Sequence, residues 1–464
     1  MRSVVTRREL LGGALSAAGL AGAPAAPPPN ILLFFPDQHR YDWTGANPQL
    51  PLRTPNFDAI RKRGIQFRRA IAASPLCAPS RACLASGKEY DRCRVASNSV
   101  DYPLDQTTYY QLLRASGYHV AGCGKLDLHK KTRDWGLDGK RLLKEWGFSD
   151  GVDSEGKHDA VNSGAVKPMG PYMAYLHERG LAAAHVEDFK RRRNASATFP
   201  TPLPEEAYSD NWLANNGLEL MRRFPKGEPW HLAINFTGPH EPMDITRRME
   251  QGARGRTYPQ PHLNTEFPGE THLAIRQNYS AMVENIDRWV GIFLDEVRRR
   301  GELDNTLMVY SSDHGEMLGD HNRWGKSVPY QQSIGVPLAV AGPGIKAGVT
   351  SDALVSVLDL TATFLDYAGI ARPNDMDSLS LRPLLEGRTG RHRQFLRSGL
   401  GHWRLVWDGR HKLIRGFHPE ASRPGMAQQP EAPLLLFDHE SDPQEDRNIA
   451  ADSYAAVKRL SALF

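Results

Sequence analysis

The chain has 464 residues, of which 9% are aromatic and 24% charged, and this composition excludes both a single small module and a disordered chain. The net charge of +5 is small for this length, and no basic tract interleaves aromatic residues, so nucleic-acid binding is not expected. Four cysteines are too few for a disulfide scaffold.

Residues 1–29 are predicted to be an export signal followed by a linker. Arg7 and Arg8 precede a stretch rich in Ala, Gly and Leu, and small residues surround Ala23 and Ala25. A charged start, a modest apolar region and an A-x-A-like cleavage site are typical of a secretory signal, and the arginine pair is typical of the twin-arginine type. We therefore expect the twin-arginine machinery to export the protein to the periplasm or the extracellular space.

Short apolar runs predict buried strands, and longer runs with a helical period predict helices between them. The predicted strands are 30–35, 118–123, 231–236, 306–311 and 338–341, and the predicted helices include 54–64 and 275–301. Strands that alternate with helices predict an α/β fold with a mostly parallel sheet covered on both faces. In such a sheet, ligands bind at the carboxyl ends of the strands.

The rest of the chain divides by composition. Residues 130–210 are charged and rich in Gly and Pro, which predicts an excursion over one face that shapes substrate choice. The pattern breaks again near residue 372, and short strands at 401–414 and 434–438 predict an antiparallel sheet beyond it. We expect a catalytic domain over 30–372 and a smaller C-terminal domain over 373–464.

Two predicted strands lead directly into polar clusters that suit a metal ion. Asp37 and Gln38 follow the first strand, and Asp313 and His314 follow strand 306–311. Carboxylate and amide oxygens with one imidazole suit Ca²⁺, Mg²⁺ or Mn²⁺ better than a structural zinc. Each cluster alone is also typical of a helix cap or a turn, so neither identifies a site by itself.

A third motif is more specific. Residues 74–88 contain C-x-P-S-R-x-x-x-x-S-G, beginning at Cys77. This stretch resembles the sulfatase signature, in which the cysteine is oxidised after synthesis to formylglycine (3-oxoalanine). Pro79 is typical of a helix start, so Cys77 is expected at the positive end of a helix, with Arg81 one turn further on.

Other segments resemble the same family. They are the strand leading into Asp37-Gln38, the run 311–321 followed by Lys326, the loop Pro239-His240-Glu241-Pro242, the helix around Asp359 and Thr363, the hinge 378–387, and the stretch from 436 to 448. The resemblance implies an alkaline-phosphatase-like α/β sandwich with a mostly parallel central sheet and a smaller C-terminal domain with an antiparallel sheet. It implies hydrolysis of a small-molecule or saccharide sulfate ester, after a separate maturase has converted the cysteine.

The resemblance also implies roles for individual residues. It implies one divalent cation, with Ca²⁺ preferred over Mn²⁺ or Mg²⁺, and five ligands: Asp37, Gln38, Cys77, Asp313 and His314. A hydroxyl of the hydrated formylglycine would attack sulfur. Lys125 and Lys326 would stabilise the sulfate charge, Arg81 would hold the hydrated aldehyde, and His240 would protonate the departing alcohol.

One segment departs from the family pattern. The family reads G-K-x-H, whereas here Gly124-Lys125 is followed by Asp127 at the usual histidine position and by His129 two residues later. If the segment is extended, side chains 127 and 129 point the same way, so His129 is our predicted base for the second step. Asp127 is the alternative base.

Two other functions remain open from the sequence. The Asp37-Gln38 form resembles the choline-sulfatase and phosphonate-monoester-hydrolase branch, so a phosphonate or phosphate monoester hydrolase on the same scaffold is the first alternative. A non-catalytic binder of sulfated glycans is the second, and the intact set of Cys77, Lys125 and Lys326 argues against it.

Overall fold

The computed structural model describes residues 27–192, 194–420 and 432–464, and its strands form two sheets. The predicted signal lies outside the described residues except for 27–29. The strands of the larger sheet are β1 (Asn30–Phe34), β2 (Ile65–Ile71), β3 (His119–Gly124), β4 (Asp150–Asp153), β5 (Trp230–Asn235), β6 (Thr306–Tyr310), β7 (Leu338–Ala341) and β8 (Val349–Ser356). Those of the smaller sheet are β9 (Leu396–Leu400), β10 (Trp403–Trp407), β11 (His411–Arg415) and β12 (Leu435–Asp438).

The helices lie between these strands and after the last one. They are α1 (Pro55–Arg63), α2 (Cys77–Ser86), α3 (Tyr109–Ala115), α4 (Leu143–Trp146), α5 (Gly156–Gly164), α6 (Pro171–Glu178), α7 (Ala182–Arg191), α8 (Ser209–Arg222), α9 (Arg247–Ala253), α10 (Gly269–Arg299), α11 (Gln331–Ile334), α12 (Asp359–Tyr367), α13 (Arg382–Leu385) and α14 (Tyr454–Ser461). Among the described residues, no helix is both long enough and apolar enough to cross a bilayer.

The larger sheet has the order β4-β3-β5-β1-β6-β7-β2-β8, and within it β7 runs antiparallel to both neighbours. β1 is central, with Leu32 in register with Leu232 of β5 and Met308 of β6. Ile31 and Leu33 pack in one core with α2, α3 and α12, whereas Leu32 packs in the other with α1, α8 and α10. Because helices cover both faces, the strand is apolar throughout. The predicted mostly parallel α/β sandwich is confirmed.

Four adjacent parallel strands present their carboxyl ends at the same edge of this sheet. β3 leads into Lys125, β5 into the loop of His240, β1 into Asp37 and β6 into Asp313. The strand order β3-β5-β1-β6 therefore brings residues that are far apart in sequence to one place.

Four strands were not predicted, and their composition explains why. β2 contains the exposed Arg68, and β8 alternates between half-buried and exposed residues before its buried end. β4 is only four residues long with an aspartate at each end, and β9 has only one apolar residue at each end of an Arg-Ser-Gly stretch. None forms an apolar run. β4 lies within 130–210 and pairs with β3, so this segment extends the central sheet and is more than an excursion over one face.

The smaller sheet has the order β12-β11-β10-β9 and is antiparallel throughout, which confirms the predicted C-terminal sheet. Trp403 and Leu405 of β10 belong to the same hydrophobic core as Ile31 of the large sheet. The boundary between the two predicted domains, at 372/373, stays a prediction.

Asp359, the first residue of α12, ties the main sheet to the segment that leads into the small sheet. Its buried carboxylate accepts hydrogen bonds from Arg393 Nε at 2.7 Å and His392 Nε2 at 3.0 Å, and from the backbone N–H groups of Ser356 and Leu379. Burial alone would raise the pKa of Asp359, but the charge and hydrogen bonds of Arg393 outweigh it and lower the pKa to about 2.

Replacing Asp359 with Asn should lower the free energy of unfolding by about 3 kcal/mol at neutral pH, since Arg393 is then left without its counter-ion. Because the pKa of the folded carboxyl is lowered, this stabilisation is present above pH 4 or so and is lost as the pH falls toward 2. Urea unfolding at several pH values measures both effects. Asp352→Asn, at an exposed pair with Arg68, is the control and should cost less than about 1 kcal/mol; equal losses would contradict the prediction.

Candidate active site

Two buried carboxylates form the centre of the site. Asp37 and Asp313 follow adjacent strands, and both side chains are fully buried. Arg81 on α2 donates to both of them, from Nε to Asp313 Oδ2 at 3.1 Å and from its terminal nitrogen to Asp37 Oδ2 at 3.3 Å. The same guanidinium donates to the backbone carbonyl of Lys125 and, at 2.9 Å, to Asn235 Oδ1. The positive charge of Arg81 thus offsets the negative charge of the two carboxylates.

Lys125 supplies the second positive charge. Its Nζ donates to Asp37 Oδ2 and lies 3.3 Å from Asp127. Burial alone would raise the pKa of Asp37, but Lys125 and the other nearby cations lower it well below its usual range. Gly124 permits this placement: its φ is 108°, and a Cβ there would lie 2.0 Å from the carbonyl oxygen of Asn235.

Cys77 is the first residue of α2 and faces the carboxylates. Its Sγ lies 3.7 Å from Asp37 Oδ1 and 3.3 Å from His314 Nε2. Burial and Asp37 alone would raise the pKa of the thiol, but Lys125, Lys326 and His314 bring it below its ordinary value. The helix terminus adds to this preference for negative charge. The prediction that Cys77 begins a helix is confirmed, with Pro79 in the first turn.

Four of the five predicted metal ligands converge. One donor atom from each of Asp37, Cys77, Asp313 and His314 lies within 4.8 Å of the others, and all four residues are buried. Two carboxylates and an imidazole are a donor set that suits a hard divalent cation. The residues present therefore fit such an ion.

Gln38, the fifth predicted ligand, has its amide engaged elsewhere. Lys326 Nζ donates to Gln38 Oε1, while Gln38 Nε2 donates to Glu241 Oε2 at 2.6 Å and to Glu316 Oε2. The backbone N–H of Gln38 donates to Asp313 Oδ1 at 3.0 Å. The structure thus places Gln38 as a bridge between Lys326 and two glutamates, which corrects its assignment to the donor set.

A cavity of about 340 Å³ opens in front of Cys77 and is called the sulfur cavity below. Its lining includes more cationic side chains than carboxylates: the cations are Lys125, Lys130, Arg133, Lys157 and Lys326, and the carboxylates are Glu155, Asp159 and Glu241. Burial alone would lower the pKa values of Lys125 and Lys326, but the surrounding Cys77 and carboxylates raise both above the ordinary value. The lysines therefore stay charged, and the cavity suits an anion.

His240 lines the sulfur cavity together with Cys77. Its Nε2 receives a hydrogen bond from Lys326, and its ring lies 5.5 Å from that of His158, centroid to centroid. Burial lowers the pKa of His240 well below its ordinary value, and the charge of Glu241, which favours protonation, does not offset it. A bound anion would favour protonation of this ring.

Lys157 of α5 holds the loop that carries His240. Its Nζ donates to the carbonyl of His240 at 3.0 Å and to Asp244 Oδ1 at 2.7 Å. Lys157 was not predicted, because a lysine inside a charged segment carries no distinguishing pattern. Glu241 and Glu316, which both contact Gln38, lie in segments that resemble family motifs, but the resemblance implies no role for them.

His129 is not brought to the sulfur cavity. Its Nε2 bonds Asp153 Oδ2 at 2.9 Å, and its ring packs edge-on against Trp135 and Trp146 at centroid distances of 5.6 and 5.1 Å. Burial alone would lower the pKa of His129, but Asp153 raises it. The expectation rested on an extended segment, whereas Asp127 has a φ of 54°, which turns the chain and corrects that expectation.

Asp127 lies between two lysines. Lys130 Nζ donates to its carboxylate oxygens at 3.0 and 2.9 Å, and Lys125 Nζ lies 3.3 Å from its Oδ2. Burial alone would raise the pKa of Asp127, but Lys125 and Lys130 lower it to about 2. A carboxylate with so low a pKa is a weak base, and its contacts suit it to holding the two lysines in place.

Known proteins are similar to this chain in sequence. The family model of sulfatases matches residues 29–370, and the model for the C-terminal region of N-sulphoglucosamine sulphohydrolase matches residues 319–461. Arylsulfatase of Clostridium perfringens is 27% identical over 448 residues, covering 91% of this chain and 90% of that protein. Choline-sulfatase of Rhizobium meliloti is 30% identical over 391 residues, covering 77% of this chain and 72% of that protein.

A solved structure shares the fold. Phosphonate monoester hydrolase of Silicibacter pomeroyi superposes with a TM-score of 0.76 at 23% identity and covers 94% of both chains. At this identity the likeness establishes the architecture alone. The family assignment instead comes from the sulfatase model, which spans most of the chain and includes Cys77, Asp37 and Asp313. The chain belongs to the sulfatase family and is a sulfate ester hydrolase.

Proposed function

We propose that this sulfatase hydrolyses sulfate monoesters through a formylglycine made from Cys77, with one divalent cation at the neighbouring carboxylates. The observation that carries the proposal is the position of Cys77, at the start of α2, among Asp37, Asp313 and His314 and facing a cavity lined by lysines. A formylglycine there would, as its hydrate, supply a hydroxyl nucleophile and release sulfate by regenerating the aldehyde.

The lysines of the sulfur cavity bind and orient the sulfate group. Lys125 and Lys326 both lie beside Cys77, one on the Asp37 side and the other on the Gln38 side. Asp127 and Gln38 fix their ammonium groups, so little reorganisation is needed when a sulfate binds. Such preorganised charges are expected to supply the largest part of the rate enhancement.

Asp37, Asp313, His314 and the oxidised residue 77 would hold the cation. When bound, the ion supplies Lewis-acid stabilisation of charge and lowers the pKa of a hydroxyl group. We propose Ca²⁺, because two carboxylates and an aldehyde-derived oxygen are hard ligands; His314 keeps Mn²⁺ as the second choice.

His240 is the proposed general acid for the departing alcohol. Its ring lies at the cavity wall beside Lys326. Lys157 holds the backbone of its loop, and its Nδ1 is hydrogen-bonded to the carbonyl of Glu241 at 2.6 Å. Once the sulfate has added negative charge beside the ring, Nε2 can carry the proton that the leaving oxygen needs.

We also propose that the protein is exported by the twin-arginine machinery and matured beforehand by a formylglycine-generating enzyme. The Arg7-Arg8 pair and the small residues near Ala25 support export. Because a twin-arginine substrate crosses the membrane folded, and Cys77 is 1% exposed in the folded chain, oxidation would have to occur before folding in the cytoplasm.

A phosphonate monoester hydrolase remains the alternative activity on this scaffold. The two activities are separated by comparing kcat/KM for 4-nitrophenyl sulfate with kcat/KM for 4-nitrophenyl phenylphosphonate. We expect the sulfate to be preferred, since the sulfatase family model matches residues 29–370 and the two relatives named above by their sequence similarity are sulfatases. A preference for the phosphonate would replace the proposed function with the alternative.

Cys77→Ala and Cys77→Ser should both abolish turnover of 4-nitrophenyl sulfate when the protein is coproduced with a cysteine-type maturase, because neither variant can form the aldehyde. Mass analysis of the peptide spanning 68–81 of active wild-type enzyme should show an aldehyde in place of the thiol. Cys83→Ala, on the same helix but outside the sulfur cavity, is the matched control and should stay active. An unmodified Cys77 in fully active enzyme would contradict the mechanism.

Removing the cation should lower kcat by roughly 10³-fold, the size expected for loss of metal-ion charge stabilisation. Activity after exhaustive chelation and re-addition of Ca²⁺ or Mn²⁺, together with metal content by mass spectrometry, measures this. Asp313→Asn should lose both bound metal and activity. Asp287→Asn, at a buried carboxylate that holds the start of α1, should keep both; full activity without metal would overturn the assignment.

His129→Gln should destabilise the fold by about 3 kcal/mol, because Asp153 is left buried without its partner, and should show no burst of 4-nitrophenol before steady turnover. Asp127→Asn should also show no burst. Stopped-flow absorbance and urea unfolding test the two variants side by side. A burst followed by slow turnover in either variant would identify that residue as the base for the second step and contradict its assignment here.

A further inference from the structure

A second cavity of about 300 Å³ adjoins the sulfur cavity and is called the side cavity below. The two cavities share His158 and Glu241 as lining residues. Glu241 follows the proposed general acid directly, and its Oε2 lies 3.3 Å from Nδ1 of His240. An alcohol that leaves sulfur beside His240 therefore has the side cavity as its neighbouring space.

Aromatic rings form one wall of the side cavity. Trp324 and Phe267 line it, with ring centroids 5.7 Å apart and planes tilted by 50°. His272 stacks on Trp324 at a centroid distance of 5.7 Å and also contacts Phe267, which holds the indole plane in place. Trp324 is two residues before Lys326, so one short segment presents an ammonium group to the sulfur cavity and an aromatic ring to the side cavity.

The charge of the side cavity is opposite to that of the sulfur cavity. Its described lining includes three carboxylates, from Glu241, Glu266 and Glu316, and one guanidinium, from Arg192. That guanidinium is committed elsewhere: it donates to both carboxylate oxygens of Asp188, at 2.9 and 3.2 Å. Glu266 also accepts a hydrogen bond from Trp324 Nε1, which places a carboxylate at the edge of the aromatic wall.

We propose that the side cavity binds a positively charged nitrogen on the leaving alcohol, so that the preferred substrate is a zwitterionic sulfate ester. This inference rests on the proposed function and assigns the class of alcohol. Aromatic faces attract cations, and the attraction increases when water is excluded. A neutral alcohol of the same shape would fill the same space without gaining from the carboxylates or from the ring quadrupoles.

The test compares two alkyl sulfates of equal shape as competitive inhibitors of 4-nitrophenyl sulfate hydrolysis by the matured, metal-loaded enzyme. Choline O-sulfate carries a quaternary ammonium, and 3,3-dimethylbutyl sulfate has a carbon atom in its place. We expect the inhibition constant of choline O-sulfate to be lower by about tenfold, the size expected for a cation at half-buried aromatic rings with carboxylates beside them.

Variants locate the effect in the side cavity. Glu266→Gln and Trp324→Leu should each bring the two inhibition constants to within roughly threefold of each other, because one removes a charge and the other a ring. Glu270→Gln is the matched control: this exposed glutamate in the first turn of α10 lines neither cavity, and its variant should keep the full ratio.

Each outcome decides the proposal. Equal inhibition by both esters would overturn the cationic leaving group while leaving the sulfatase activity intact. A ratio that persists in Glu266→Gln and Trp324→Leu would show that a cation is recognised elsewhere and would equally overturn the assignment of the side cavity. Failure to hydrolyse any sulfate ester would instead refute the proposed function, and this inference with it.

Discussion

Two buried carboxylates stand side by side at the carboxyl ends of adjacent parallel strands, and their mutual repulsion has to be balanced within the protein. Asp37 and Asp313 cannot be hydrated, since both are fully buried. Arg81 bridges them, Lys125 contacts Asp37, and His314 lies 3.7 Å from both carboxylates. A divalent cation would add to this balance, and the four donor residues that converge here fit a hard metal ion.

Outward from Asp37 and Asp313, a layer of positive side chains is followed by a layer of negative ones. Of the lysines that face the sulfur cavity, Lys125 contacts Asp127, and Lys326 donates a hydrogen bond to the amide oxygen of Gln38. The amide nitrogen of Gln38 donates in turn to Glu241 and Glu316. Positive charge therefore faces the place of the sulfate, and negative charge lies beyond it toward the side cavity. A substrate with a sulfate at one end and a cation at the other matches both layers.

Several elements of the fold and the motif at Cys77 were predictable because they depend on local sequence. An apolar run bounded by a proline predicted β1, a helical period predicted α10, and the spacing around Cys77 matched the sulfatase signature. The strands that the sequence pattern does not predict, β2, β4, β8 and β9, carry polar or exposed residues and so lack the apolar run that identifies a buried strand. The same limit explains why the composition of 130–210 predicts an excursion, although β4 joins the sheet.

The family, the mostly parallel α/β fold class and the residues at the ends of β1 and β6 could be predicted from the sequence, because residue type and spacing encode motif chemistry and hydrophobic period. Which of those residues act together depends on the folded chain. A single left-handed residue, Asp127, turned His129 away into a pocket of Trp135 and Trp146, and Gln38 was drawn to Lys326. Side-chain partners are chosen by contacts between segments distant in sequence, and no local pattern contains those contacts.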